Sequence, residues 1–101
     1  MKGIELRFLI PAKQSLRRGE ALNLLIGAEN GTDEDILFPV RVFAATDGDP
    51  VPLMEESKLI PAHEHSHIYL TVPGPVLESI DDDEFVISLE NGAFGQMICF
   101  Y

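Results

Sequence analysis

What most constrains this chain is a succession of short apolar segments that alternate with a period of two. Nowhere do ten or more residues hold a helical apolar stripe. In Leu22–Ala45, LNLLIGAENGTDEDILFPVRVFAA, two such segments flank a polar link. Leu22, Leu24, Ile26 and Ala28 define one face of the first, with Asn23, Leu25, Gly27 and Glu29 on the other. Asn30–Asp35 reads as a turn, because Asn-Gly accepts positive φ and the acidic trio is solvated. In the second segment Val40, Val42 and Ala44 form the core face and leave Arg41 and Phe43 outside. Pro39 cannot donate to a ladder, so the strand either becomes regular at Val40 or turns Pro39 outward at an edge or bulge.

The same pattern recurs along the chain. Ile4, Leu6, Phe8 and Ile10 alternate with Glu5, Arg7 and Leu9, and Pro11 ends that strand. Ala12–Glu20 is a polar link with room for one helical turn around Ser15–Arg18. Val51–Met54 reads as a very short strand and Glu55–Lys58 as a polar crossing. Ile68, Leu70 and Val72 alternate clearly; Val76–Ile80 is either a short extended piece or a turn. Phe85, Ile87 and Leu89 face inward in a sixth run. Phe94–Tyr101 reads as the last strand, with Phe94, Gln96, Ile98 and Phe100 on one side and Met97, Cys99 and Tyr101 on the other. About seven strands separated by turn signals predict an all-β, two-sheet antiparallel β-sandwich with Greek-key connections.

At 101 residues the chain has room for one hydrophobic core, so a single domain over 1–101 is expected. One cysteine, Cys99, excludes an intramolecular disulfide. The net charge of −10 is uneven: Lys2, Arg7, Lys13, Arg17 and Arg18 lie in the first twenty positions, and thereafter Arg41 and Lys58 face fifteen acidic residues. Such a body repels phosphate backbones, which argues against nucleic-acid binding. The basic segment would then meet either an acidic partner surface or the protein's own acidic body. No apolar run is long enough to span a bilayer, and Ile4–Ile10 carries Glu5 and Arg7, so no membrane insertion and a cytoplasmic location are expected.

Two features carry a resemblance. The second strand ends in an Asn-x-Thr turn, Asn30 and Thr32, and a Leu-x-Pro-Ala-like corner, Leu59–Ala62, precedes the alternating strand His67–Val72. In this the chain resembles bacterial immunoglobulin-like or fibronectin-III-like domains over residues 4–101. It departs from them in having His63 at a corner that usually carries glycine or a small residue, and it lacks the tryptophan and paired cysteines of antibody-type domains. The resemblance implies a fold and no particular function.

The histidines all lie in His63-Glu64-His65-Ser66-His67. On a fully extended chain His63, His65 and His67 share an outward face at about 7 Å spacing, a pattern able to present imidazoles to Zn²⁺, Cu²⁺ or Ni²⁺ if a facing strand adds a ligand. Solvated histidines on a polar strand face are the simpler reading, and no cofactor is expected. The acidic loops Asp33–Asp35, Asp47/Asp49 and Asp81–Glu84 match no calcium loop. Cys99 has no histidine near in sequence, and no phosphate loop, nucleophile elbow or HExxH motif is present, so no enzyme activity is expected. Leu25, Phe43, Tyr69, Val86, Met97 and Tyr101 all fall on nominally outer faces. Outward apolar residues in so small a domain point to an interface. The functional expectation is a non-enzymatic module that binds a protein partner or forms a homo-oligomer through a sheet face or edge. The alternative is a metal-binding protein using the histidine strand.

Overall fold

The alternation in LNLLIGAEN becomes a nine-residue strand, β3 (Leu22–Asn30), that buries Leu22, Leu24, Ile26 and Ala28. In the computed structural model, which describes residues 3–101, β3 is the middle strand of a three-stranded antiparallel sheet. Its neighbours are β1 (Ile4–Pro11) and β6 (His65–Val72). A second sheet has five strands in the order β2 (Ser15–Leu16), β8 (Gln96–Phe100), β7 (Glu84–Ser88), β4 (Ile36–Ala45) and β5 (Val51–Ile60). All its pairings are antiparallel except β2 with β8, which is parallel. The fold is therefore all-β and two-sheeted, as the alternation predicts. No described helix is long and apolar enough to cross a membrane.

The two sheets share one core. Leu9, Leu24, Ile26, Ile68 and Leu70 from the smaller sheet join Val40, Val42, Phe85, Ile87 and Ile98 from the larger in a single buried cluster. Burying one such side chain is worth about 1.5–3 kcal/mol, so this shared core is the main source of stability.

Several local expectations are corrected. β1 does not keep one register: its pairing with β3 shifts between Leu6 and Phe8. A bulge inserts one residue and so reverses every side chain beyond it. Leu9 is consequently buried, whereas Ile10 is 51% exposed and Phe8 leaves the core. The link after β1 makes no helical turn. Ser15 and Leu16 pair with Cys99 and Phe100, and Leu16 is fully buried.

Val51–Met54 and the supposed crossing Glu55–Lys58 are one ten-residue strand that pairs along β4 from Ile36 onward. Pro39 is accommodated because β7 pairs with β4 only at Phe43–Ala45, which leaves β5 as the only ladder partner of the Pro39 stretch among the described residues. Val76–Ile80 resolves into a turn of helix, α1 (Gly74–Leu77), whose Leu77 is buried. The last strand starts at Gln96, because Phe94 has φ 58° and sits in the preceding turn.

The turn between β3 and β4 is held by Asn30, which is buried. Its amide donates to the carbonyls of Glu34 (2.8 Å) and Ile60 (2.9 Å), and its Oδ1 accepts from the Thr32 N–H (2.9 Å) and hydroxyl (2.6 Å). Every polar position of this buried side chain is thus satisfied, tying the turn to the end of β5.

Candidate interaction face

The outward surface of the three-stranded sheet is assembled by strand register. Ile10 pairs with Leu25 and Leu25 with Tyr69, which forms an apolar row across all three strands. The next row is Phe8, Gly27 and His67. Gly27 is what admits the Phe8 ring: a Cβ there would lie 2.2 Å from the nearest ring atom. The ring instead lies over the glycine backbone and meets His67 edge-on, with centroids 5.9 Å apart. A polar boundary closes each end. At one, Asn23 accepts the Thr71 hydroxyl (2.7 Å). At the other, Arg7 binds the Glu29 carboxylate and reaches Glu5 (3.1 Å). The Arg7 hydrogen bond holds the Glu29 carboxyl below its ordinary range, and the same contact raises the Arg7 guanidinium.

The six outward apolar residues do not form one patch. Leu25 and Tyr69 lie on this face, half-buried and 71% exposed respectively. Phe43, Val86 and Met97 belong to the five-stranded sheet, where Ala45, Val86 and Met97 are register neighbours. Tyr101 follows β8, and the Arg17 guanidinium lies 6.0 Å from its ring. Phe8 and Ile10 belong to the face but cannot be assigned to it from alternation alone. The available signal is Gly27: a glycine inside a strand marks a bulge or a close approach.

The histidine row is dispersed. His63 has φ 60° and lies before β6, with Nε2 2.6 Å from Asp33 Oδ1. His65 Nε2 is 3.6 Å from Glu29 Oε1, and His67 packs on Phe8. The corner at Pro61–Ala62 turns His63 out of the line that i, i+2, i+4 spacing requires. Among the described residues no group of three or more His, Cys, Asp or Glu side chains is placed to hold a metal ion.

The described basic residues near the N-terminus serve the protein's own body; Lys2 lies outside the described residues. Lys13 pairs with Glu20 at 2.5 Å, which lowers the Glu20 carboxyl. Arg18 stacks 4.0 Å above the Phe100 ring while donating to the carbonyls of Ile80 and Asp82. It thereby anchors the acidic segment Asp81–Glu84 that precedes β7. That segment and the β4–β5 loop, with Asp47 and Asp49, line two adjoining clefts of about 260 Å³ each. The carboxylates in these clefts are exposed. Cys99 is half-buried within β8, with Sγ 3.8 Å from a Glu84 oxygen.

No family model and no curated protein matches the chain. Among solved structures it is similar to part of a β-glucosidase, EmGH1, from Erythrobacter marinus. The TM-score is 0.78 at 10% identity, over 97% of this chain and 15% of that one. A β-glucosidase from Listeria innocua matches with TM-scores of 0.68 in complex with isofagomine and 0.70 with glucose. The identities are 12% and 14%, over 96% of this chain and 16% of those. The likeness is one of fold, and the chain spans about a sixth of each of these proteins.

Proposed function

We propose that the chain is an immunoglobulin-like, fibronectin-III-like sandwich that acts as a non-enzymatic interaction module through the outer face of its three-stranded sheet. The strand order, β1-β3-β6 against β2-β8-β7-β4-β5, supports the sandwich reading, since the chain passes repeatedly from one sheet to the other, as it does in Greek-key sandwiches. The observation that carries the functional reading is the row Ile10–Leu25–Tyr69 beside Phe8. It is an apolar strip bordered by polar pairs and built on rigid strands. Apolar centre and polar rim are the anatomy of a protein-binding surface.

A second reading, an appendage within a larger glycoside hydrolase, draws on the likeness to a portion of β-glucosidase chains. It is compatible with the first, because an appendage also needs a docking face. In either case the isolated chain is expected to leave aryl β-glucosides unhydrolysed. The docking test is site-specific photocrosslinking in cells, with benzoylphenylalanine in place of Leu25 on the face or of Asp49 at the acidic end. Protein adducts from position 25 and none from position 49 are expected. Adducts from 49 alone, or from neither position, would remove the reading.

A further inference from the structure

The sheets end in several open edges, and all but one of the long ones carry an obstacle to further pairing. β1 is bulged between Leu6 and Phe8 and ends in Pro11, and the carbonyl of Leu9 is taken by the Gln96 amide at 3.3 Å. β5 begins with Val51-Pro52 and carries Glu56 and Lys58 in register with the inward residues Val40 and Phe38. Those two charges, paired at 3.0 Å, sit on the core-facing side of an edge, where an added strand would have to bury them. The open stretch of β4 contains Pro39, and β8 is capped by β2.

β6 is different. His65–Val72 runs without proline, glycine, bulge or acidic side chain, and β3 is its only paired neighbour among the described residues. Every second residue of such a strand turns its N–H and C=O away from the sheet, ready for another strand.

We infer that the occupant of this edge is β6 of a second copy, paired antiparallel about a two-fold axis through Tyr69. This deepens the interaction-module reading above and rests on it. Two-fold pairing that keeps both cores on the same side requires residues of equal parity to meet, because side chains alternate between faces. Pairing Tyr69 with Tyr69 of the second copy meets this condition. It sets Ile68 against Leu70, His67 against Thr71 and Ser66 against Val72. Of the inward pairs, Ile68 against Leu70 is apolar on apolar, while Ser66 against Val72 sets a small hydroxyl beside valine at each end. The outward row becomes continuous across six strands, from Ile10 through Leu25 and both Tyr69 rings to Ile10 of the second copy. β6 itself carries no acidic residue to pair with a cationic segment, so its edge suits an uncharged strand such as β6 of a second copy. The rest of each copy repels the other at long range, so salt should strengthen this dimer by screening, whereas docking of a basic partner would weaken with salt.

Sedimentation velocity on the purified protein over a concentration series tests the inference. A monomer–dimer equilibrium that tightens with added salt is expected. Tyr69→Lys and Tyr69→Asp each place like charges opposite one another at the two-fold axis and should weaken self-association about tenfold or more. An equimolar mixture of the two variants should restore a heterodimer. Position 69 is exposed, so at concentrations where wild type is monomeric both variants should keep its melting profile. Strict monomer at every concentration overturns the inference, as does a dimer indifferent to either variant or a mixture that fails to associate. Crosslinking from position 25 to a different protein, together with a strict monomer, would leave the interaction face standing and refute only the second copy as its occupant.

Discussion

At the residue scale, three positions stand out: Asn30, Gly27 and Glu29. Asn30 is polar and buried, and its cost is offset because its amide and carbonyl are both satisfied by the turn it closes and by Ile60. Gly27 is defined by what it lacks, since its missing Cβ is the seat of the Phe8 ring. Gly27→Ala should therefore destabilise the protein by about 1–3 kcal/mol through overpacking. In a Phe8→Ala background the same change should cost much less. Urea unfolding of the four proteins in a double-mutant cycle measures the coupling, and equal costs in both backgrounds would show that the ring does not depend on the glycine. Glu29 supplies a pH effect. Arg7 lowers its carboxyl in the folded protein beneath the ordinary 4.5. A depressed folded value means the stabilisation is present above 4.5 and is lost as pH falls through the lower value. Glu29→Gln should flatten the acid limb of the stability profile. The pair is solvent-exposed, so the change should be small.

At the scale of elements, the contrast between β5 and β6 matters most. Both are edge strands, yet only β5 turns charges inward. Replacing Glu56 and Lys58 together by valine would convert β5 into a long strand without inward charges. Concentration-dependent aggregation is expected, measurable by light scattering at a protein concentration where wild type stays clear. No increase in scattering would mean that the β5 edge is protected by something other than these charges. The bulge in β1 shows the same logic on a face. One inserted residue moves Phe8 and Ile10 outward and Leu9 inward, and thereby creates most of the apolar strip. Alternation by itself assigns Phe8 and Ile10 to the core, because a bulge leaves no trace in hydrophobic periodicity. β5 is hidden for a related reason. MEESK contains too few apolar residues to reveal a strand whose partner lies in β4 across the turn.

For the whole molecule, an elongated body of 45 × 23 × 17 Å keeps its charge in separate zones. Arg7, Lys13 and Arg18 neutralise neighbouring acidic groups, while Asp47, Asp49 and Asp81–Glu84 gather around the clefts beside the start of β7. The apolar strip on the three-stranded sheet is bounded by the Arg7, Glu29 and Glu5 charges at one end and by Asn23 and Thr71 at the other. Periodicity determined the all-β class and the inward faces of β3, β4, β6 and β7, because each of those strands is buried on one side and a register slip would expose it. Composition determined that packing, and no intramolecular disulfide, must hold the core together. Tertiary structure alone decided which outward residues meet. It separated Leu25 and Tyr69 from Phe43, Val86 and Met97 by placing them on different sheets, drew in Phe8 and Ile10 through a bulge, and turned His63 away from His65 and His67 at a corner. Those outcomes depend on strand partners distant in sequence and on local breaks in alternation, and a one-dimensional period carries neither.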